Sequence, residues 1–159
     1  MPRPQKQRTV QQPPRIMGLK PVGIPSRFLN QVDLSLDEYE AIRLADYKGL
    51  DHQEAADTMG ISRPTFTRLI ERARKKVSEC IVEAKELVID GGNYSFVSDM
   101  IQCYDCGGIF SFEKPGIVPD VCPSCKSRNI VHLNRQFGRG ARFGGRGEMF
   151  RGNRGHGRW

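Results

Sequence analysis

Four of the five cysteines in this 159-residue chain form two pairs, Cys103-x2-Cys106 and Cys122-x2-Cys125, with fifteen residues between them. Each pair sets two sulfurs on one tight backbone knuckle, and two knuckles complete a tetrahedron around a metal ion. Gly107, Gly108 and Pro123 let the knuckles turn sharply and aim N–H groups at sulfur. The chain is expected in the cytoplasm, where thiols stay reduced, so the pairs read as metal ligands rather than disulfides. Four thiolates suit zinc and iron alike. Zinc is the expected ion because structural zinc is commoner, with iron as the alternative. The plain role is a folding staple for a module too small to hold its own core. The sharper role is a metal or redox sensor acting on the rest of the chain. Cys80 falls on an apolar stripe and reads as packing. His52 and His132 have no cysteine or histidine at ligand spacing and read as ordinary.

A second chemistry is written in GISRPTFTRLIERARKK, from Gly60 to Lys76. Six basic residues are stacked there on a segment with an apolar stripe. Gly60 can take a left-handed turn, and Ile61 plugs the junction. Ser62 caps the next helix, whose first turn tolerates Pro64 because no useful N–H is lost there. Helices with such a start can enter the major groove of double-stranded DNA. Ser62, Arg63, Thr65, Thr67 and Arg68 lie in or beside the first turns, away from the Phe66–Leu69–Ile70 stripe or at its edge. Arginine reads guanine bidentately, and threonine meets a base edge or a phosphate. Arg72, Lys75 and Lys76 lie further along and suit phosphates. The blander reading is a solvated cationic face on an ordinary bundle.

These groups need positioning elements. Residues 1–30 carry six of the ten prolines, which excludes a long helix, and read as a basic arm with a loose first half and a packed second half. Residues 31–92 read as one domain, helical over 33–89. Ser35 caps a first helix with Asp37 and Glu38 in its opening turn, and Gly49 ends it. Asp51 and Glu54 form a capping-box-like pair for a short second helix, with Ala55, Ala56 and Met59 inside. Apolar residues at 66, 69, 70, 73, 77, 80, 81, 84, 87 and 88 predict a third helix from Ser62 to about Gly91. At ~1.5 Å per residue its ~26 residues would run ~39 Å, too long for two short helices to cover. The uncovered stripe from Val77 to Val88 makes a homodimer one expectation. Residues 93–133 read as short strands around the cysteine pairs. Residues 134–159 hold eight glycines and seven arginines and read as a disordered tail.

DEYEAIRLADYKGLDHQEAADTMGISRPTFTRLIERARKKV resembles the helix-turn-helix of region 4 in bacterial sigma factors. With the MPRP opening and LVIDGG, residues 1–95 resemble more narrowly an uncharacterised prokaryotic family of predicted DNA-binding proteins. That resemblance implies a fold and DNA binding, and no assigned target or reaction. The further regions of a true sigma factor are not found in these residues, so a sigma factor is not the expectation. CYDCGG and VCPSC resemble zinc ribbons and also the knuckles of rubredoxin-like iron sites. The expected fold is mainly α: a three-helix helix-turn-helix domain with a long third helix, a small β zinc-ribbon or rubredoxin-like module, and a disordered Gly/Arg-rich tail.

A net charge of +7 favours a polyanionic partner. Residues 1–30 hold six cations and no acids, and residues 135–159 hold seven cations and one acid, so both ends are basic. Phe137, Phe143, Phe150 and Trp159 interleave with arginine in the tail, which would let RNA bases stack there. No apolar run approaches the ~20 residues of a membrane span, and the N-terminus lacks an apolar signal core. No nucleophile–base pair, phosphate-binding loop or open metal site suggests an enzyme. The function expected is a DNA-binding regulator of transcription with a structural metal ribbon. The alternatives are a rubredoxin-like redox or metal-handling protein, and an RNA-binding or protein-bridging factor that uses the ribbon and tail.

Overall fold

The computed structural model describes residues 6–114 and 117–137. Its first helix, α1 (Leu36–Ile42), begins at a complete capping box, in which the Ser35 N–H donates to the Glu38 carboxylate at 3.0 Å. The helix loosens into a π-type turn over Arg43–Tyr47 and stops at Gly49, whose φ is 74°. Asp51 caps α2 (His52–Met59) by accepting the N–H groups of Gln53 and Glu54. Gly60 then turns left-handed at φ 67°, and Ser62 caps α3 (Arg63–Val82) by accepting the Thr65 N–H. Ala41, Leu44, Ala55, Ala56, Met59, Phe66, Leu69 and Ile70 are fully buried and weld these helices together.

The fold is α/β rather than mainly α. Three α-helices share the described residues with eight strands in three sheets. The clearest departure from expectation is the third helix. It ends at Val82, because Ala84 turns left-handed at φ 52° and the Lys85 N–H reaches back to the Cys80 carbonyl at 3.1 Å. Such a stop usually uses glycine, so residue types alone carry no warning of it. The apolar residues at 84, 87 and 88 fit a helical period, yet Glu86–Ile89 is a strand that buries Leu87 and Ile89 in alternation.

We number the strands in chain order: β1 (Arg8–Val10), β2 (Gly18–Leu19), β3 (Gln31–Leu34), β4 (Glu86–Ile89), β5 (Tyr94–Phe96), β6 (Ser98–Cys103), β7 (Ile109–Glu113) and β8 (Ile130–His132). β4 is the centre of a sheet ordered β2-β4-β3, antiparallel to β2 and parallel to β3. Its partners lie more than fifty residues upstream, where local periodicity cannot reveal them. The strand thereby covers the back of α3, the face for which a second copy of the chain is one candidate cover on sequence grounds.

The N-terminal segment is woven in as well. β1 pairs in parallel with β5, and Val10, Pro13 and Pro14 are buried, in contrast to the loose first half expected of this arm. The anchor is Glu40, which is 0% exposed: its carboxylate accepts the Gln11 N–H at 2.9 Å and two N–H groups of Arg43 at 2.7 Å each. Arg43 in turn donates to the Gln11 side-chain oxygen at 2.8 Å. Burying that ion pair requires every one of these contacts.

β6 is the centre of the third sheet, ordered β7-β6-β8 and antiparallel throughout. The chain then forms a 3-10 helix, Leu133–Phe137. Residues 134–137 of the tail expected to be disordered are thus ordered, with Phe137 buried in the core. The rest of that tail, residues 138–159, lies outside the described residues. Among those described, no helix is long and apolar enough to cross a membrane.

Candidate functional site

β6 delivers Cys103 at its last residue, and the first knuckle closes when the Gly107 N–H donates to the Cys103 carbonyl at 3.0 Å. The second knuckle repeats the bond, from the Lys126 N–H to the Cys122 carbonyl at 3.0 Å. The residue after the second cysteine must be left-handed in both: Gly107 at φ 72° and Lys126 at φ 62°. Lys126 therefore has the role that glycine has in the first knuckle, which residue type alone does not signal. Asp105 ties the knuckles together by accepting hydrogen bonds from the Ser127 hydroxyl and the Asn129 amide.

The four sulfurs meet as two cross-knuckle pairs, Cys103–Cys125 and Cys106–Cys122, each at 3.6 Å, and all lie within 4.8 Å of one another. A disulfide would need ~2.0 Å. A tetrahedron of sulfurs at ~2.3 Å from a central ion has edges of ~3.8 Å, so the spacing fits a tetrathiolate metal site. The Cys125 N–H approaches the Cys122 sulfur at 3.5 Å, and such N–H groups stabilise thiolate charge. The Cys125 N–H is the main reason the Cys122 thiol is pulled down to about 7. At Cys125 the Ser127 N–H pulls the other way, but burial and the neighbouring thiols, Cys103 first, push it up to about 12. Cys106 is raised too: a hydrogen bond from the Gly108 backbone opposes the rise, and Cys122 and burial drive it. Cys122 thus ionises more easily than Cys106 and Cys125, and a dication is what makes four thiolates compatible. Cys103 and Cys122 are buried, whereas Cys106 and Cys125 face solvent.

The basic segment is the second candidate site. Arg63 and Arg68 on α3 are exposed and make no ion pair among the described residues. Arg72 and Lys75 are exposed further along the helix. Arg72 lies 3.9 Å from the Glu38 carboxylate, and Lys76 is held against it at 2.7 Å. The Ser62 and Thr65 hydroxyls are 2.8 Å apart. Thr67 is half-buried, with its hydroxyl 2.9 Å from His52 Nδ1. His52 also packs edge-on against Phe66, so it locks α2 to α3. Its lack of ligand-spaced partners hides that role in the sequence. Asp51, His52, Gln53 and Arg63 line a shallow cleft of ≈ 410 Å³ between the starts of the two helices.

Comparison with known proteins places the chain. Residues 1–97 match the family model described as Protein of unknown function DUF134. The chain belongs to this family. Among its relatives, the UPF0251 protein of Chloroherpeton thalassium is 52% identical over 144 residues, spanning 91% of this chain and 94% of that protein. The UPF0251 protein of Pelotomaculum thermopropionicum is 44% identical over 128 residues, spanning 80% and 95%. A UPF0251 protein of a Thermoanaerobacter species is 49% identical over 94 residues, spanning 59% and 83%. No solved structure matches the chain significantly. The DUF134 match ends one residue before β6, so the cysteine ribbon lies outside it. The first relative's coverage, by contrast, cannot be reached without the ribbon.

Proposed function

We propose that this member of the DUF134 family binds double-stranded DNA as a regulator of transcription. The first turns of α3 enter the major groove, and the four-cysteine ribbon is a structural metal site, zinc before iron. The role is binding, not catalysis. The observation that carries the reading is the state of Arg63 and Arg68: both are solvent-exposed at the start of a capped helix, and neither is neutralised by an acid among the described residues. Arginines left unpaired at such a helix start are available for bidentate contact with guanine. Arg72 and Lys75 continue the exposed face and suit phosphates. Thr67, whose hydroxyl is beside His52, meets a base through its methyl group. Lys76, held by Glu38, serves chiefly the fold.

The test is selection of bound fragments from a randomised duplex pool, with Arg63→Ala and Arg68→Ala as variants. Each substitution is expected to cost about 1–3 kcal/mol on the selected site and to relax preference at its own base positions without unfolding the protein. Affinity should fall steeply with salt, as phosphate contacts require. Equal sequence preference in variants and wild type, or no discrimination from random duplex at any salt, refutes the assignment.

A further inference from the structure

The ribbon does not end at its own sheet. Beyond β8 the chain turns back across β6 as the 3-10 helix Leu133–Phe137. Asn134 clamps it there, donating to the Ser98 carbonyl at 2.7 Å and accepting the Met100 N–H at 2.8 Å. Leu133 is fully buried beside this clamp. Phe137 then leaves the ribbon and enters the core cluster behind α3, with Leu34, Leu36, Ala73, Cys80, Leu87 and Ile89. The Tyr94 hydroxyl donates to the Phe137 carbonyl and fixes the end of the turn. Ala73 and Cys80 are on the inner face of the helix whose outer face carries Arg72 and Lys75.

We propose that Phe137 is a positioning residue that couples the four-cysteine site to α3, so that metal capture by the ribbon sets the DNA-binding face. The last step rests on the DNA-binding reading; the coupling itself does not. The ribbon buries little apolar surface of its own beyond Met100, Ile101 and Leu133, so its order depends on the cross-link between its knuckles. Without an ion, the knuckles are joined by the exposed Asp105 hydrogen bonds and by one backbone bond, from the Tyr104 N–H to the Asn129 carbonyl at 3.0 Å. The second knuckle leads through β8 directly to Asn134 and Phe137. Opening the knuckles therefore frees the segment that seats Phe137, and an aromatic side chain withdrawn from this cluster leaves a cavity against Ala73 and Cys80. Cys80 is the reporter: a thiol 9% exposed, in the same cluster, and not one of the four ligands.

The experiment uses the full chain loaded with zinc and the same chain after chelation. It follows alkylation of Cys80 by site-resolved mass spectrometry, with DNA affinity measured alongside. Cys80 should label slowly in the loaded wild type and about tenfold faster or more after zinc removal, as expected when local opening becomes cheap. Phe137→Ala should label fast with its zinc still bound, and Phe137→Leu should recover much of the protection. Asn134→Ala frees the turn without touching the core and should fall between them, which covers the case where Phe137→Ala does not fold. DNA affinity should follow the same order. A Cys80 rate indifferent to zinc removal, or Phe137→Ala and Asn134→Ala both labelling as wild type, overturns the coupling. DNA affinity unchanged while Cys80 responds overturns its regulatory step. No DNA binding in any form, with Cys80 still responding, sinks the DNA reading and leaves the coupling supported.

Discussion

Replacing Glu40 by glutamine changes few atoms and should be among the costliest substitutions in the chain. Glu40 is 0% exposed and Arg43 is 8% exposed. Three N–H groups converge on the one carboxylate, two from the Arg43 guanidinium and one from the Gln11 backbone. Hydrogen bonding to Glu40 is the chief reason the Arg43 guanidinium holds its proton even more tightly than usual. Glutamine fills the same space, so no cavity term enters. It leaves a buried guanidinium facing a neutral amide whose NH2 end cannot accept. Breaking one side of a buried pair costs about 3–5 kcal/mol. At roughly 2–4 °C per kcal/mol for a chain of this size, Tm should fall by roughly 6–20 °C. The comparison is Asp46→Asn, which breaks the Arg74–Asp46 pair at side chains 49% and 41% exposed. That pair is solvent-screened and worth under about 1 kcal/mol. Replacing both members of the buried pair, in Glu40→Met with Arg43→Met, should recover part of the loss, since no unpaired charge is then buried and only Gln11, through its N–H and its side-chain oxygen, loses its partners. Thermal and urea unfolding of the metal-loaded chain measure all four proteins. A cost for Glu40→Gln no larger than that for Asp46→Asn would refute the reasoning.

The thiols predict how metal uptake depends on pH. With Cys125 pushed up to about 12 and Cys106 raised, at least two protons are still bound at pH 7 and must leave when the ion enters. Zinc affinity should therefore rise with pH by about 100-fold per unit near neutrality, with at least two protons released per ion in a weakly buffered titration. Aerobically purified protein should be colourless with zinc, while a red preparation would identify iron. Ala84 and Lys126 take left-handed backbone conformations without glycine's freedom, and both are exposed. Ala84→Gly and Lys126→Gly should each stabilise the metal-loaded chain by about 0.5–1 kcal/mol in thermal unfolding, and destabilisation by either would count against a left-handed turn at that position.

Much of the candidate site is legible in the sequence because it is local. Capping residues act within one turn, and Ser35, Asp51, Gly60 and Ser62 all have the roles that their chemistry suggests. Two C-x-x-C pairs can hardly avoid meeting once a sheet brings their knuckles together, and their sulfurs do meet. His52 is different: ligand spacing makes it look idle. Its use is to bridge Thr67 and Phe66, fifteen and fourteen residues along the chain, a pairing that exists only once α2 and α3 are packed.

The third helix shows where local reading ends. Residues 84–89 satisfy a helical period and contain no glycine or proline, so nothing in them forbids continuation. What ends the helix is competition: backbone groups at 86–89 bond to β2 and β3 on both sides, and those strands come from a proline-rich segment that reads as an arm. The helix caps, the two knuckles and the cationic face of α3 are written into short stretches, because each depends on residues a few positions apart. The α/β architecture, the pinning of the N-terminal segment by Glu40 and the tie from the metal ribbon to α3 through Phe137 arise only on folding. Those outcomes depend on which distant surfaces find each other, and burial free energy rewards that match without leaving a mark in any short run of residues.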